Sequence, residues 1–126
     1  MKNKQVETSK SKIAIIGLGY VGLPLAVEFS KKYSVIGFDL NFDRISELSR
    51  GIDKTNELNK TDIKSLAKIK LTNNQNDLHD SNIYIITVPT PVDKNNKPDL
   101  SPLISASKII AILLVNTLGP IKPSIN

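Results

Sequence analysis

The chain has 126 residues, of which 40% are hydrophobic, and its 17 basic and 12 acidic side chains give a formal net charge of +5. This length suffices for one domain with a sizeable core but is too short for a dinucleotide-binding domain together with a substrate domain. The chain contains no cysteine, which excludes disulfides, thiolate metal sites and a cysteine nucleophile. No apolar run approaches the roughly 18 residues that a membrane span needs, so a cytoplasmic protein without a membrane partner is expected.

The positive charge is concentrated near the N-terminus, where Lys2, Lys4, Lys10 and Lys12 lie in or beside a polar segment. Residues 1–11 have no apolar core, so they are interpreted as a disordered basic leader and not as a secretory signal. The other basic residues are scattered among acids, and the aromatic side chains do not interleave with them. A solvated leader is therefore favoured over a surface for phosphate backbones, and no nucleic-acid partner is expected.

From residue 12 onwards, short apolar runs alternate with helical segments. Lys12–Ile16 is apolar, rich in β-branched residues and closed by Gly17, which is typical of a buried parallel strand. A turn at Gly19–Gly22 leads to a predicted helix over Leu23–Lys32, where a proline in the first turn is tolerated. Ser34–Phe38 is the second predicted strand.

The next segment is predicted to contain two short helices and a short strand. The first helix covers Arg44–Arg50, and the second runs through Lys68. Ile69–Leu71 follows as a short strand. The residues suited to cap these helices are Asn41 or Asp43 for the first and Thr61 or Asp62 for the second.

The last part of the chain is predicted to add one strand and one helix. Gln75–Asp80 is polar and favours a turn or a weak helix. Ile83–Val88 has the continuous apolar character of a buried strand. Pro102 is expected to open a helix that runs to about Val115. Residues 116–126 have little periodicity and are interpreted as an irregular tail.

The alternation over residues 12–115 predicts an α/β domain with parallel strands and right-handed crossovers. The pattern corresponds to the N-terminal portion of a Rossmann-like doubly wound sheet, and it is incomplete. A partial sheet leaves an edge strand and apolar helix faces uncovered, so marginal stability or self-association is expected.

The glycine pattern between the first strand and the first helix indicates a dinucleotide site. Gly17-Leu-Gly19-Tyr-Val-Gly22 matches G-x-G-x-x-G, and a strand, a helix and a later acidic residue surround it as the fingerprint requires. In this interpretation Gly17 permits the tight turn, Gly19 lets the backbone approach a pyrophosphate, and Gly22 allows the helix to pack closely on the sheet. The helix N-terminus offers N–H groups to the phosphate charge.

Polar residues at the ends of later strands complete the predicted site. Asp39 is placed to accept hydrogen bonds from ribose hydroxyls, and its charge favours NAD over NADP. Arg44 makes that choice less strict, because a nearby guanidinium can stack on adenine or hold a phosphate. Thr90 either faces the cofactor or belongs to a structural proline turn. His79 has no metal or catalytic partner at a suitable spacing, so it is interpreted as a surface residue and no metal site is expected.

Three stretches resemble the UDP-sugar 6-dehydrogenases. They are KIAIIGLGYVGLPLAVEF (residues 12–29), Gly37-Phe-Asp39 and IITVPTP (residues 85–91). The later Lys97-Pro-Asp-Leu-Ser-Pro-Leu103 resembles the capsule and Vi-antigen type of these enzymes. The resemblance covers about residues 12–110.

The resemblance implies oxidation of the C6 alcohol of a UDP-sugar to a carboxylate, with two NAD reduced per sugar, for surface polysaccharides. The sugar nucleotides of the family are UDP-glucose, UDP-N-acetylglucosamine and UDP-N-acetylgalactosamine, and full-length members are expected to be homo-oligomers. The cofactor contacts that it implies are Gly17, Leu18, Gly19, Tyr20, Val21, Gly22, Asp39, Arg44 and Thr90.

The chain departs from the family after residue 110, where a further strand and a Glu-Ser-Thr segment are expected but Asn116-Thr-Leu-Gly-Pro120 occurs. The family's catalytic lysine, asparagine, cysteine and aspartate belong to regions beyond this point. The expectation is a truncated NAD-binding fragment, inactive alone, with no catalytic residues. The alternatives are a standalone NAD-binding module that pairs with another subunit, a fragment of a GDP-mannose-type or hydroxyacid dehydrogenase, and a basic nucleic-acid binder.

Overall fold

Four parallel strands form the sheet in the computed structural model, which describes residues 10–118. Their order in the sheet is β3-β2-β1-β4, with Ile15 of β1 paired to Gly37 on one side and Ile85 on the other. The winding direction therefore reverses between β1 and β4, and a crevice at the carboxyl edge is expected there. The strands are β1 (Lys12–Ile16), β2 (Ser34–Phe38), β3 (Lys70–Thr72) and β4 (Ile83–Ile86).

Helices cover both faces of the sheet. Ile13 and Ile15 belong to a core with the first three helices, whereas Ala14 and Ile16 belong to a second core with the last helix. Alternate residues of one strand thus point to opposite faces, which confirms the doubly wound α/β arrangement. The helices are α1 (Gly22–Ser30), α2 (Phe42–Ser49), α3 (Lys60–Ser65) and α4 (Ser101–Leu118), with short 3₁₀ segments at Leu66–Lys68 and Gln75–Leu78.

The helix starts follow their capping residues. The side-chain oxygen of Asn41 accepts the N–H groups of Asp43 and Arg44, so α2 begins at Phe42, earlier than predicted. The predicted caps of α3 are wrong, because the side chain of Asn59 accepts the N–H of Asp62. The bounds of β1 and β2 agree with the prediction.

Strand β4 is shorter and more exposed than predicted. It ends at Ile86, and Ile83 is 41% exposed, so the prediction of a buried strand through Val88 is wrong. The reason is that β4 is an edge of the sheet within residues 10–118, with only β1 beside it. A second neighbouring strand would bury the other side of β4. The apolar pattern along β4 does not indicate whether such a neighbour is present.

Two observations concern the ends of the predicted domain. Helix α4 continues through Leu118, so the segment predicted as an irregular tail begins with helical residues. Ser11, which was assigned to the leader, is buried. Residues 1–9 and 119–126 lie outside the described residues, so the remaining parts of the leader and tail predictions stay predictions.

Helix α4 is apolar on more than the face that packs on the sheet. Ala106 and Leu113 are buried, while Ile104, Ile112 and Val115 are 51%, 61% and 60% exposed. A helix that is apolar around its circumference is typical of a buried element. Part of α4 therefore lacks cover within residues 10–118. No helix in this range is long and apolar enough to cross a bilayer.

Candidate functional site

Gly17 forms the turn that ends β1. Its φ is +103°, and its N–H donates to the carbonyl of Phe38 at 2.8 Å. A Cβ at this position would lie 3.0 Å from backbone atoms of Thr87 and Val88. Both the backbone conformation and the packing therefore require glycine here.

Gly22 sets the approach of α1 to the sheet. A Cβ on Gly22 would overlap the carbonyl oxygen of Gly17 and the hydroxyl of Thr87. That hydroxyl donates to the Gly17 carbonyl at 2.7 Å and to the Ile16 carbonyl at 3.2 Å. Thr87 thus ties β4 to the glycine turn, a role that the sequence reasoning missed because it considered only Thr90.

Gly19 differs from the other two glycines of the motif. A Cβ there would meet no atom within 4 Å, and its φ lies outside the left-handed region. Packing within residues 10–118 therefore does not require glycine at position 19. The space beside it belongs to a cavity of about 260 Å³ that Gly17, Leu18 and Asp39 also line. This arrangement leaves room for a ligand to approach the backbone.

The backbone that faces this space carries unpaired donors. Among residues 10–118, the N–H groups of Gly19, Tyr20 and Val21 donate to no acceptor, and α1 has no side-chain cap. Tyr20 and Val21 are also 69% and 66% exposed. A helix N-terminus with free N–H groups and a positive dipole end attracts anions such as phosphate.

Asp39 lies immediately after β2, at the rim of the same cavity. One carboxylate oxygen accepts the N–H of Leu18 at 2.9 Å, and the other accepts the N–H of Asn41 at 2.9 Å. The carboxylate therefore holds both the glycine turn and the start of α2. A carboxylate oxygen has a second lone pair, so these bonds leave acceptor capacity for a ribose hydroxyl.

A second, more apolar cavity adjoins Asp39 on the other side of the turn. It has a volume of about 380 Å³ and lies between the carboxyl ends of the strands and the start of α4. Its walls include the apolar groups of Phe38, Leu40, Val88, Pro89, Ala106 and Ile109. The polar turn and the apolar cavity together suit a ligand with a charged linker and a flat ring.

The remaining predicted site residues lie in different surroundings. Arg44 is buried at the first turn of α2, where it lines the smaller cavity and donates from Nε to the carbonyl of Leu18 at 2.7 Å. Thr90 is exposed and makes no hydrogen bond to residues 10–118, so its contact with a cofactor stays a prediction. His79 is exposed, as expected of a surface residue.

Asp53 anchors Arg44 from the loop after α2. Its carboxylate lies 3.2 Å from Arg44 Nη1 and accepts N–H groups of Thr55, Glu57 and Leu58. Burial raises the pKa of Asp53, but hydrogen bonds from Thr55, Leu58 and Arg44 outweigh it and hold the pKa below its ordinary value of 3.8. The sequence reasoning missed Asp53, although an aspartate two residues before a threonine in a polar loop is a turn signal.

Acid is expected to remove the contribution of Asp53 to stability. Because its pKa is lower in the folded state, that contribution is complete above about pH 5, declines as the pH passes the ordinary pKa, and is lost as pH falls through the folded pKa. The difference in free energy of unfolding between the natural chain and Asp53→Asn should therefore shrink over that window. Urea denaturation at a series of pH values measures it. A difference that stays constant with pH would contradict the lowered pKa of Asp53 and the hydrogen bonds that cause it, since the loss of stability from the other carboxyls is common to both proteins.

The fold and the site together define a dinucleotide-binding domain of the doubly wound type. The glycine turn, the free N–H groups at α1 and the acidic residue after β2 meet at one edge of the sheet, next to the point where the winding direction reverses.

Residues 11–118 match the UDP-glucose/GDP-mannose dehydrogenase family, NAD binding domain. The chain belongs to this family, and the cofactor of its domain is NAD. This confirms the resemblance to the nucleotide-sugar dehydrogenases that the glycine motif and the VPTP segment indicated.

Curated relatives are similar over most of the chain. A UDP-N-acetyl-D-glucosamine 6-dehydrogenase from Pseudomonas aeruginosa is 52% identical over 103 residues, which are 82% of this chain and 24% of the relative. Protein CapL from Staphylococcus aureus is 52% identical over 98 residues, 78% of this chain and 23% of the relative. The chain thus spans about a quarter of the length of these relatives.

Solved structures share the fold. A UDP-D-ManNAc dehydrogenase from Pyrococcus horikoshii superposes with a TM-score of 0.72 at 36% identity, over 81% of this chain and 25% of the other. A ternary complex of GDP-mannose dehydrogenase from Pseudomonas aeruginosa also gives a TM-score of 0.72, at 26% identity, with the same coverage of 81% and 25%. The Rossmann-like fold predicted from the sequence is confirmed.

Proposed function

We propose that this chain is the NAD-binding part of an enzyme that oxidises the C6 alcohol of a UDP-sugar to the uronate for surface polysaccharide synthesis. The 52% identity to a UDP-N-acetyl-D-glucosamine 6-dehydrogenase carries the proposal. A UDP-N-acetyl-D-glucosamine 6-dehydrogenase from Salmonella typhi is 50% identical over 103 residues. These relatives favour UDP-N-acetylglucosamine over UDP-N-acetylgalactosamine and UDP-glucose as the sugar nucleotide. The proposed location of the complete enzyme is the cytoplasm, as a homo-oligomer.

The residues around the glycine turn fit NAD. The free N–H groups of Gly19, Tyr20 and Val21 suit the pyrophosphate, and the open side of Gly19 admits it. Asp39 suits the adenine ribose, since its carboxylate is fixed by backbone N–H groups at the cavity rim. Bound NAD supplies the hydride acceptor for alcohol oxidation. The chain's own residues bind and orient this cofactor.

The chemistry on the sugar is assigned to parts of the enzyme beyond this chain. The chain contains no cysteine, so the covalent thiohemiacetal step that the resemblance implies has no nucleophile here. Among residues 10–118, the chemistry-bearing side chains near the cavities, such as Asp39 and Arg44, are engaged in holding the glycine turn. The chain alone is therefore proposed to bind NAD without turning over substrate.

A titration and an activity assay on the 126-residue chain test this proposal. We expect NAD binding, seen by calorimetry or ligand-observed NMR, because the phosphate-binding turn is complete in residues 17–22. We expect no NADH formation with UDP-N-acetylglucosamine, UDP-N-acetylgalactosamine or UDP-glucose. A folded chain with no NAD contact would overturn the assignment of the NAD site to the glycine turn. NADH formation by the chain alone would overturn the assignment of the sugar chemistry to other parts of the enzyme.

The uncovered face of α4 favours a second candidate, an NAD-binding module that pairs with another subunit. Ile104, Ile112 and Val115 on this face are at least half exposed, which is unusual for a self-sufficient domain. A module of this kind would be recovered with a defined partner chain from its source cells. Such a module is expected to fold and to bind NAD without an added partner, so a chain that is unfolded by circular dichroism or shows no NAD contact by ligand-observed NMR would exclude this candidate.

A further inference from the structure

Asp53 is a buried carboxylate that does not line either cavity of the site. Its side chain is 1% exposed and accepts hydrogen bonds from three backbone N–H groups and the Thr55 hydroxyl. Buried charges are retained when they are paired, and the cationic partner of Asp53 is Arg44. The loop after α2 therefore delivers a fixed negative charge to the back of the cofactor site.

Arg44 is the cation next to Asp39, and its guanidinium is held on three sides. Nε donates to the Leu18 carbonyl at 2.7 Å, Nη1 to Asp53 at 3.2 Å and Nη2 to Thr55 at 3.4 Å. Its side chain is 10% exposed and lines the cavity of about 260 Å³ together with Asp39. The guanidinium is thus close to the proposed ribose position, but three of its five N–H donors are directed to acceptors within the protein.

We propose that Asp53 is a specificity-determining residue, which neutralises and holds Arg44 so that the site disfavours a dinucleotide with a 2′-phosphate. A 2′-phosphate brings about −1.5 to −2 charges to the rim where Asp39 already carries a negative charge. An arginine accommodates such a group when its charge and its planar fork of donors are free. In Arg44 the charge is balanced by Asp53, and three of the five N–H donors are engaged by Leu18, Asp53 and Thr55. The inference rests on the proposed NAD site.

The preference for NAD then has two sources. Asp39 repels the phosphate directly, and Asp53 removes the cation that would offset this repulsion. Removing the charge of Asp53 releases one positive charge at a site of low exposure, where screening by salt is weaker than at the surface. The dissociation constant for NADP relative to that for NAD is the quantity that this charge controls.

The test measures the dissociation constants of NAD and NADP for the 126-residue chain and for Asp53→Asn. The asparagine keeps the shape of the side chain and loses the charge. We expect the ratio of the NADP to the NAD constant to fall by about fivefold to tenfold in Asp53→Asn, as one charge near the phosphate would produce. An unchanged ratio in a folded variant overturns the inference.

A second variant decides the question if Asp53→Asn does not fold. The double variant Arg44→Met/Asp53→Asn removes both charges of the pair together and leaves no buried charge unpaired. Since Asp53 already neutralises Arg44 in the natural chain, the ratio of the NADP to the NAD constant should stay unchanged in this variant. A loss of affinity confined to NADP would show that Arg44 binds the 2′-phosphate, and would overturn the inference.

The matched control is Glu47→Gln on the neighbouring helix α2. Glu47 is also a carboxylate of low exposure, with a side chain that is 11% exposed and an ion pair to Lys54. It lines neither cavity at the glycine turn, so the ratio should not change. An equal change in Glu47→Gln would mean that any lost negative charge has the effect, and would overturn the inference. If the natural chain folds but binds neither dinucleotide, the proposed function itself fails.

Discussion

Alanine at position 22 is expected to reduce the free energy of unfolding by about 3 kcal/mol, the upper range for overpacking of a close-packed site. The added methyl group would overlap the carbonyl oxygen of Gly17, a backbone atom, and the hydroxyl of Thr87. Neither can move without shifting α1 away from the sheet or breaking the bond from Thr87 to Gly17. Urea denaturation followed by circular dichroism measures the change. Stability equal to that of the natural chain would mean that α1 does not sit this close to β1.

Alanine at position 19 is the matched comparison, because the same substitution is made three residues away in the same turn. No atom of residues 10–118 lies within 4 Å of the added Cβ, so stability should change by less than about 1 kcal/mol. The methyl group instead occupies the space proposed for the pyrophosphate. We expect NAD affinity to fall on the order of tenfold to a hundredfold. Unimpaired NAD binding by Gly19→Ala would place the pyrophosphate elsewhere.

The chain is expected to self-associate, and Ile112→Glu is expected to weaken that association by on the order of tenfold or more. Ile112 is 61% exposed on the uncovered face of α4, and Val115 beside it is 60% exposed. Burying an isoleucine contributes about 1.5–3 kcal/mol, and a charged side chain forfeits it. Sedimentation velocity over a range of concentrations measures the association.

The control for this experiment is Ser107→Glu, which adds the same charge at an exposed polar position of α4. It should reduce association less than Ile112→Glu does. Equal effects of the two variants would assign the change to net charge and not to the apolar face. A natural chain that is monomeric at all accessible concentrations would contradict the prediction that the exposed apolar face of α4 causes self-association.

The elements around the glycine turn were predictable because their signals are local. β1 and β2 are continuous apolar runs, and the G-x-G-x-x-G spacing of Gly17, Gly19 and Gly22 is a pattern within six residues. The cap of α3 was not predictable in the same way. Asn59, Thr61 and Asp62 are all suited to cap a helix within four positions, and only the path of the chain selects Asn59.

The parts of the site that the sequence did not reveal depend on contacts between distant segments. The Thr87 hydroxyl donates to the Gly17 carbonyl, 70 positions away in the sequence. Thr90 is also a threonine in the segment after β4, but it makes no such contact. Asp53 pairs with Arg44 through an irregular loop whose conformation has no periodicity. Side-chain chemistry indicated which residues are able to interact, and the fold determined which pairs meet.

The open edge of β4 has a consequence for synthesis on the ribosome. In the proposed full-length enzyme, an N-terminal domain of this kind emerges before the remaining three quarters of the chain. At about 5–20 residues per second, the rest takes on the order of tens of seconds to follow. During that interval the edge of β4 is available to other nascent chains on the same messenger RNA. Pro89 and Pro91, which follow β4 after Thr87 and Val88, have no backbone N–H, so they limit how far an intruding strand can extend the sheet.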